Sequence, residues 1–259
     1  MTIYRYFPLK YIKQLLEKQV LYFSNVLNWE DPYENFLFKQ NVVTETGTPF
    51  RMNRSCPVYF GQCWTTLSES DAMWRIYSVK MNDLKLDVKK LNDVAIKIKV
   101  ESESLENCIR DKFHFLKGYE VKCGSVNYTE SEEILDAVKH TYHMEFSNIQ
   151  SMFLSSLFIK REAFKHEHEY RFVVQIPRND QRSKGIGIEI PFDTANIYEF
   201  VVDPRISDSL YEQIKISLHR LGIDYRRIAK SKLYEPIKKY MINVDEHGLI
   251  LKKQLSNWG

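Results

Sequence analysis

The sequence predicts an α+β protein, and three observations carry that prediction. Short β-prone runs and helix-spaced apolar runs are interleaved along 259 residues without a regular β-α-β rhythm. Neither G-x-G-x-x-G nor G-K-S/T occurs, so the glycine-rich phosphate cradles of doubly wound sheets have no counterpart. Only 9 Gly and 8 Pro are present, with no Ser/Gly-rich tract or repeat, so no linker is marked and residues 1–259 read as one domain. A 44% hydrophobic and 14% aromatic share supplies a large core.

Ile3 to Phe7 is β-prone and ends at Pro8, after which Tyr11, Ile12, Leu15 and Leu16 recur at helical spacing. Val20 to Ser24 predicts a second strand. It runs into Asn28-Trp29-Glu30-Asp31-Pro32-Tyr33-Glu34, a turn in which Pro32 disfavours helix at Asp31. Val58 to Thr66 predicts a strand, and Ser70-Asp71 opens a helix with Met73, Trp74 and Tyr77 on one stripe. Val94, Ile96, Ile98 and Val100 alternate with Ala95, Lys97 and Lys99, giving a strand with one apolar and one largely basic face. Val121 to Tyr128 reads as strand, Glu132 to Phe158 as mainly helix, and Phe172 to Ile176 as a strand stopped by Pro177. Gly187 to Ile190 and Tyr198 to Val202 add β structure. Ser207 to Leu221 reads as a helix capped by Ser207 or Asp208 and ended at Gly222, with Ile223 to Ile228 returning to strand.

Composition removes several classes. Thirty-seven basic against 34 acidic residues give a net charge of +3, so bulk charge does not argue for a dedicated nucleic-acid binder. Two local patches, Arg178 to Lys184 and Arg226 to Lys232, suit phosphates or are ordinary solvated loops. Cys56, Cys63, Cys108 and Cys123 form no C-x-x-C pair, which leaves reduced structural thiols as the expectation. No apolar run approaches the roughly 20 residues that span a bilayer, and Met1 to Tyr6 lacks a secretory pattern, so a cytoplasmic protein without membrane contact is expected. His140, His143, His166 and His168 lack the H-E-x-x-H spacing and read as solvated side chains, with no metal expected. Neither a G-x-S-x-G elbow nor a protease-type Cys motif occurs, and no compact carboxylate cluster suggests a nuclease.

The densest chemistry lies in His166-Glu167-His168-Glu169-Tyr170-Arg171. Residues i and i+2 of a strand share a face, so Glu167 and Glu169 project together if the strand includes both. Carboxylates only accept hydrogen bonds, which suits sugar hydroxyls and general-base work. A solvated strand mouth bridged to Lys165 and Arg171 accounts for the same residues. Arg5 on the first strand either grips phosphate or pairs with a carboxylate such as Glu34, and Trp74 and Tyr77 either stack on a ligand or pack the helix on the sheet.

Five segments carry a resemblance: Tyr4-Arg5-Tyr6, Leu21-Tyr22-Phe23-Ser24, Asp31-Pro32-Tyr33-Glu34, Met73-Trp74-Arg75-Ile76-Tyr77 and Glu167-His168-Glu169-Tyr170-Arg171. In order and type they resemble a bacterial domain family of unknown function, whose layout in turn is similar to the mono-ADP-ribosyltransferases of toxins and phage-defence systems. The resemblance implies a split β-sheet with peripheral helices that takes nicotinamide adenine dinucleotide (NAD) as substrate and needs no metal. It implies Arg5 on the pyrophosphate or adenosine side, Tyr4 among the cofactor-binding residues, Thr65 or Thr66 at the nicotinamide ribose, and Trp74 and Tyr77 stacking on nicotinamide or a target base. Glu169, with Glu167 as partner, would be catalytic. Cys63-Trp64-Thr65-Thr66 departs from the family's usual Phe-Ser-Glu-like segment, which leaves the relevant hydroxyl open. The acceptor would be a macromolecule, with RNA or DNA preferred over protein, and a neutralising antitoxin is the implied partner. A non-catalytic module that senses a nucleotide or holds a partner on the same fold is the alternative.

Overall fold

Alternation along the first strand, β1 (Thr2–Pro8), fixes the layers. Ile3 and Phe7 join the main core, whereas Tyr6, on the opposite face, joins a smaller cluster. The computed structural model describes residues 1–43, 46–47, 49–51, 57–78, 88–113, 116–134, 136, 149–235 and 246–247. Helix α1 (Leu9–Lys18) follows and buries Leu9, Ile12, Leu15 and Leu16 at the expected spacing. It ends at Gln19, a non-glycine residue in the left-handed region (φ 54°), whose Nε2 donates to the Leu16 carbonyl at 2.9 Å.

The chain continues through β2 (Val20–Asn25), the small antiparallel pair β3 (Asn41–Val43) and β4 (Pro49–Arg51), and β5 (Val58–Thr65). Next come α2 (Asp71–Tyr77), β6 (Ala95–Glu101), α3 (Ser102–Phe113), β7 (Glu120–Ser125) and β8 (Asn127–Thr129). After α4 (Ile149–Ser156) the chain forms β9 (Ile159–Arg161), β10 (Glu169–Ile176), β11 (Gly187–Pro191), β12 (Glu199–Val202), α5 (Asp208–Arg220) and β13 (Ile228–Lys230).

The architecture is α+β, as expected. A nine-stranded, mostly antiparallel sheet runs β11-β2-β5-β1-β6-β12-β13, and β10 pairs with β5 and carries β7. Helices α1, α3 and α5 cover one face, where Leu105, Ile109, Ile214 and Leu218 meet Phe172, Val174 and the apolar residues of β6. Each such buried aliphatic or aromatic side chain stabilises the fold by about 1.5–3 kcal/mol. On the other face Phe153 of α4 and Leu157 just beyond it pack on Tyr59 and Val173.

Three expectations are corrected, and one helix is new. The helix expected to run to Phe158 ends at Ser156; β9 and a 3-10 turn, Glu162–Glu167, follow, because Ile159 is taken into a parallel pair with β8. The expected strand over 223–228 is instead a 3-10 turn, Tyr225–Arg227, capped by Asp224, with the strand confined to Ile228–Lys230. Helix α3 was not anticipated; its amphipathic repeat of Leu105, Ile109 and Phe113 follows directly on β6. Glu167 does not lie on the strand, because His168 takes a left-handed conformation (φ 43°) and β10 begins only at Glu169. Cys56, His140 and His143 lie outside the described residues.

The sheet splits at β5. Along one edge β5 pairs with β10 over its whole length, from Val58↔Ile176 to Thr65↔Glu169. Along the other edge β2 meets only Phe60 and Gly61, and β1 meets only Thr65. Among the described residues Gln62, Cys63 and Trp64 therefore have no ladder partner on that side. Gln62 bridges the opening by donating from Nε2 to the Tyr22 carbonyl at 2.9 Å.

Candidate functional site

The split opens into a cavity of about 110 Å³ lined by Tyr4, Arg5, Cys63, Thr65, Tyr77, Glu167 and Glu169 among others. A second hollow of about 450 Å³ adjoins it through Arg5 and Gln62, walled by Phe7, Tyr11, Leu15 and Tyr22. A third, of about 460 Å³, adjoins it through Cys63, Tyr77, Glu167 and Glu169 and reaches Trp29, Asp31 and Arg161. The three make one trench across the sheet.

Arg5 stands where the first two hollows meet. Its guanidinium lies 4.5 Å from the Phe7 ring centre, and its Nη1 is sealed from solvent with no hydrogen-bond partner. Burial lowers its pKa to about 10, still protonated near neutrality. A buried donor left unpaired costs about 1–3 kcal/mol. The expected alternative, pairing with Glu34, is not what the fold forms.

Glu34 instead belongs to a closed ring of alternating charges. Glu34 Oε1 accepts from Arg171 Nη2 and lies 3.3 Å from Lys160 Nζ, while Glu169 accepts from Arg171 Nε through Oε2 and from Lys160 Nζ through Oε1 at 2.8 Å. Arg171 is fully buried, donates from Nη1 to the Leu157 carbonyl at 2.6 Å and lies 4.7 Å from the Trp29 ring centre. Glu167 hangs on the ring as a fifth member, its Oε2 2.5 Å from Lys160 Nζ. Burial opposes ionisation of Glu169, but Arg171, Glu167 and Lys160 outweigh it and hold its pKa well below the carboxylate range. Burial, and then Glu169, push Glu167 up to about 7 against the pull of Lys160. Burial likewise disfavours the Lys160 charge, yet Glu169, Glu34 and Glu167 hold it protonated above the usual lysine range.

The two carboxylates are thus brought together by a turn and a shared lysine rather than by a strand pleat. Lys165, the expected partner, pairs with Glu162. Thr65 lines the cavity, but it is fully buried and its Oγ1 accepts from the Leu67 amide at 3.1 Å. Thr66 does not line it; its amide donates to the His168 carbonyl at 3.0 Å, pinning the end of β5 to the turn before Glu169. Tyr77 lines both inner hollows and stays 40% exposed, which leaves a face for a ligand. Trp74 corrects the stacking expectation: it is fully buried, packs edge-on against Tyr6 at 4.7 Å, and donates from Nε1 to Glu69 at 2.5 Å. Its indole offers the trench no face. Burial and the neighbouring Glu169 push the Cys63 thiol up to about 12, which disfavours the thiolate.

Lys160 is the main residue the sequence did not disclose. It sits in a stretch that reads as helix end, and the only available signal was that Glu34, Glu167 and Glu169 outnumber the cation Arg171. The basic patches are partly paired with neighbouring carboxylates: Arg182 pairs with Asp180 at 2.8 Å, Arg226 with Asp224 at 2.6 Å and Lys230 with Asp208 at 2.8 Å. Among the described residues no group of three His, Cys, Asp or Glu is placed to hold a metal, and no helix is long and apolar enough to cross a membrane.

No family model matches the chain, and no curated protein does. Among solved structures the chain is similar to Thermus sp. 2.9 DarT in complex with NAD+, at 13% identity over 89% of this chain and 95% of that chain, with a TM-score of 0.34. It is similar also to Thermus sp. 2.9 DarT in complex with ADP-ribosylated ssDNA, at 12% identity over 89% and 94% of the two chains, with a TM-score of 0.36. The site described above rests on this chain's own geometry.

Proposed function

We propose that the chain is a mono-ADP-ribosyltransferase that takes NAD as substrate and attaches ADP-ribose to a macromolecule, with nucleic acid preferred as acceptor. The observation that carries this reading is the trench itself, which puts an unpartnered buried guanidinium and a pair of fixed carboxylates in one split of the sheet. The guanidinium is that of the half-buried Arg5, whose Nη1 alone is sealed and unpaired, and these are the groups that a dinucleotide with a diphosphate at its centre and ribose hydroxyls beyond it requires. Bound NAD supplies a glycosidic bond whose loosening leaves positive charge on the ribose.

Each side chain has a task in that reading. Arg5 Nη1 gains a phosphate oxygen and loses its desolvation penalty on binding. Tyr4 and Tyr77 wall the nicotinamide end, and the hollow beyond Arg5 takes the adenosine. Glu169, kept ionised, stabilises charge that exists only in the transition state, which is where binding energy raises a rate. As the acceptor's nucleophile bonds to the ribose carbon, the bond to nicotinamide breaks and its electron pair leaves with nicotinamide. The proton of the nucleophile passes to Glu167. The toxin and antitoxin setting comes only from the resemblance in the motifs.

The test is Glu169→Gln, which keeps shape and removes charge. Nicotinamide release should fall by at least about a hundredfold, with the fold retained by circular dichroism. Unchanged release removes Glu169 from the mechanism. One observation favours the alternative of a non-catalytic nucleotide-binding module: both oxygens of Glu169 are already engaged by cations. In that case the variant changes NAD affinity and there is no turnover to lose.

A further inference from the structure

Electroneutrality of the buried charges assigns a role to two residues outside the motif. The ring Glu34–Arg171–Glu169–Lys160 balances two carboxylates against two cations, and each carboxylate touches both cations. Glu167 is the surplus carboxylate, and its nearest cation already serves two others. We infer that Lys160 and Glu34 are positioning residues: Lys160 holds Glu169 ionised, Glu34 takes up part of the charge of Lys160 and Arg171, and Glu167 is left to take up and release the proton of the site. The catalytic consequence of this arrangement rests on the transferase reading above, but the arrangement itself does not.

The groups facing Glu167 are few. Lys160 from β9 and Glu169 from β10 are its direct neighbours, Tyr77 of α2 and Tyr128 of β8 sense its charge, and His166 and His168 flank it as exposed side chains. Tyr128 also fixes the turn, since its hydroxyl accepts from the Glu169 amide at 2.8 Å. Removing the Lys160 cation raises the proton affinity of Glu167, whereas removing the Glu34 anion frees Lys160 and Arg171 to attract the remaining carboxylates and lowers it. A residue that merely filled space would not move the two variants in opposite directions.

The experiment is a carboxyl-carbon NMR titration of the full chain labelled with δ-13C glutamate, the Glu167 signal being identified by its loss in Glu167→Gln. Wild type should titrate near 7. In Lys160→Met the midpoint should rise by about one unit or more, in Glu34→Gln it should fall by a similar amount, and in Lys160→Arg, which keeps the charge, it should move by less than about half a unit. If Lys160→Met does not fold, Lys160→Arg and Glu34→Gln still decide the matter. Midpoints that stay fixed, or shift in the same direction in the Met and Gln variants, overturn the inference. The rising limb of nicotinamide release with pH is measured on the same proteins. Opposed NMR shifts without any NAD cleavage support the inference and sink the transferase reading. Cleavage with unmoved midpoints does the reverse.

Discussion

At the scale of single residues, stability and activity are separable in this site because Arg171 and Arg5 are buried in opposite ways. Arg171 satisfies two carboxylates and a carbonyl, so Arg171→Met leaves Glu34 and Glu169 short of a cation and should cost about 3–5 kcal/mol in urea unfolding. Arg5 leaves Nη1 unpaired, so Arg5→Met should cost less than about 1 kcal/mol while weakening NAD affinity tenfold or more, read by calorimetric titration. Glu167 adds a pH signature. Its folded pKa of about 7 lies above the unfolded value, so its stabilising contribution is full below about 4.5 and is lost as pH rises through about 7. The urea midpoint of wild type minus that of Glu167→Gln should therefore fall across that window, and a flat difference contradicts the assignment. The pair motif was legible in the sequence because two carboxylates so close demand an explanation. Of its cations Arg171 was legible as a neighbour in the same motif, whereas Lys160 was not, since it lies on a short strand outside the motif and only the fold brings it to Glu34, Glu167 and Glu169.

At the scale of elements, the decisive feature is the divergence of β1 and β2 across from β5. Gly61 sits at the parting: a Cβ there would come within 2.4 Å of Trp29 Cζ2, the ring that covers Arg171. Gly61→Ala should displace that ring, cost about 1–3 kcal/mol and alter Trp29 emission on adding NAD. Unchanged stability and emission would mean the ring moves aside freely. Most strands were legible from short β-prone runs and β6 from its alternation, and α1 and α5 from spacing and from the capping Ser207. The stretch 157–167 was not, because a three-residue strand and a 3-10 turn leave no periodicity to read. Trp74 misled for a physical reason: an aromatic stripe looks the same whether it faces a ligand or a core, and here Lys97 and Tyr6 close over it.

At the scale of the molecule, sheet and helices frame a trench, and the candidate chemistry lies where strand pairing is interrupted. The α+β class followed from the irregular order of strands and helices, which local patterns report well. A split sheet was implied by the motif resemblance, but that it parts at Gln62–Trp64 did not follow, because strand pairing depends on contacts such as Tyr4↔Thr65 that no local pattern encodes. The account makes one demand of the whole protein, that it break NAD and pass the ADP-ribose on. The most direct measurement is incubation of the purified chain with adenylate-labelled NAD and, separately, RNA, DNA and cell-lysate protein, following label transfer and nicotinamide release. The account expects label on a nucleic-acid pool in step with nicotinamide release, both lost in Glu169→Gln. A folded protein that binds NAD but yields neither label nor nicotinamide with any pool contradicts it.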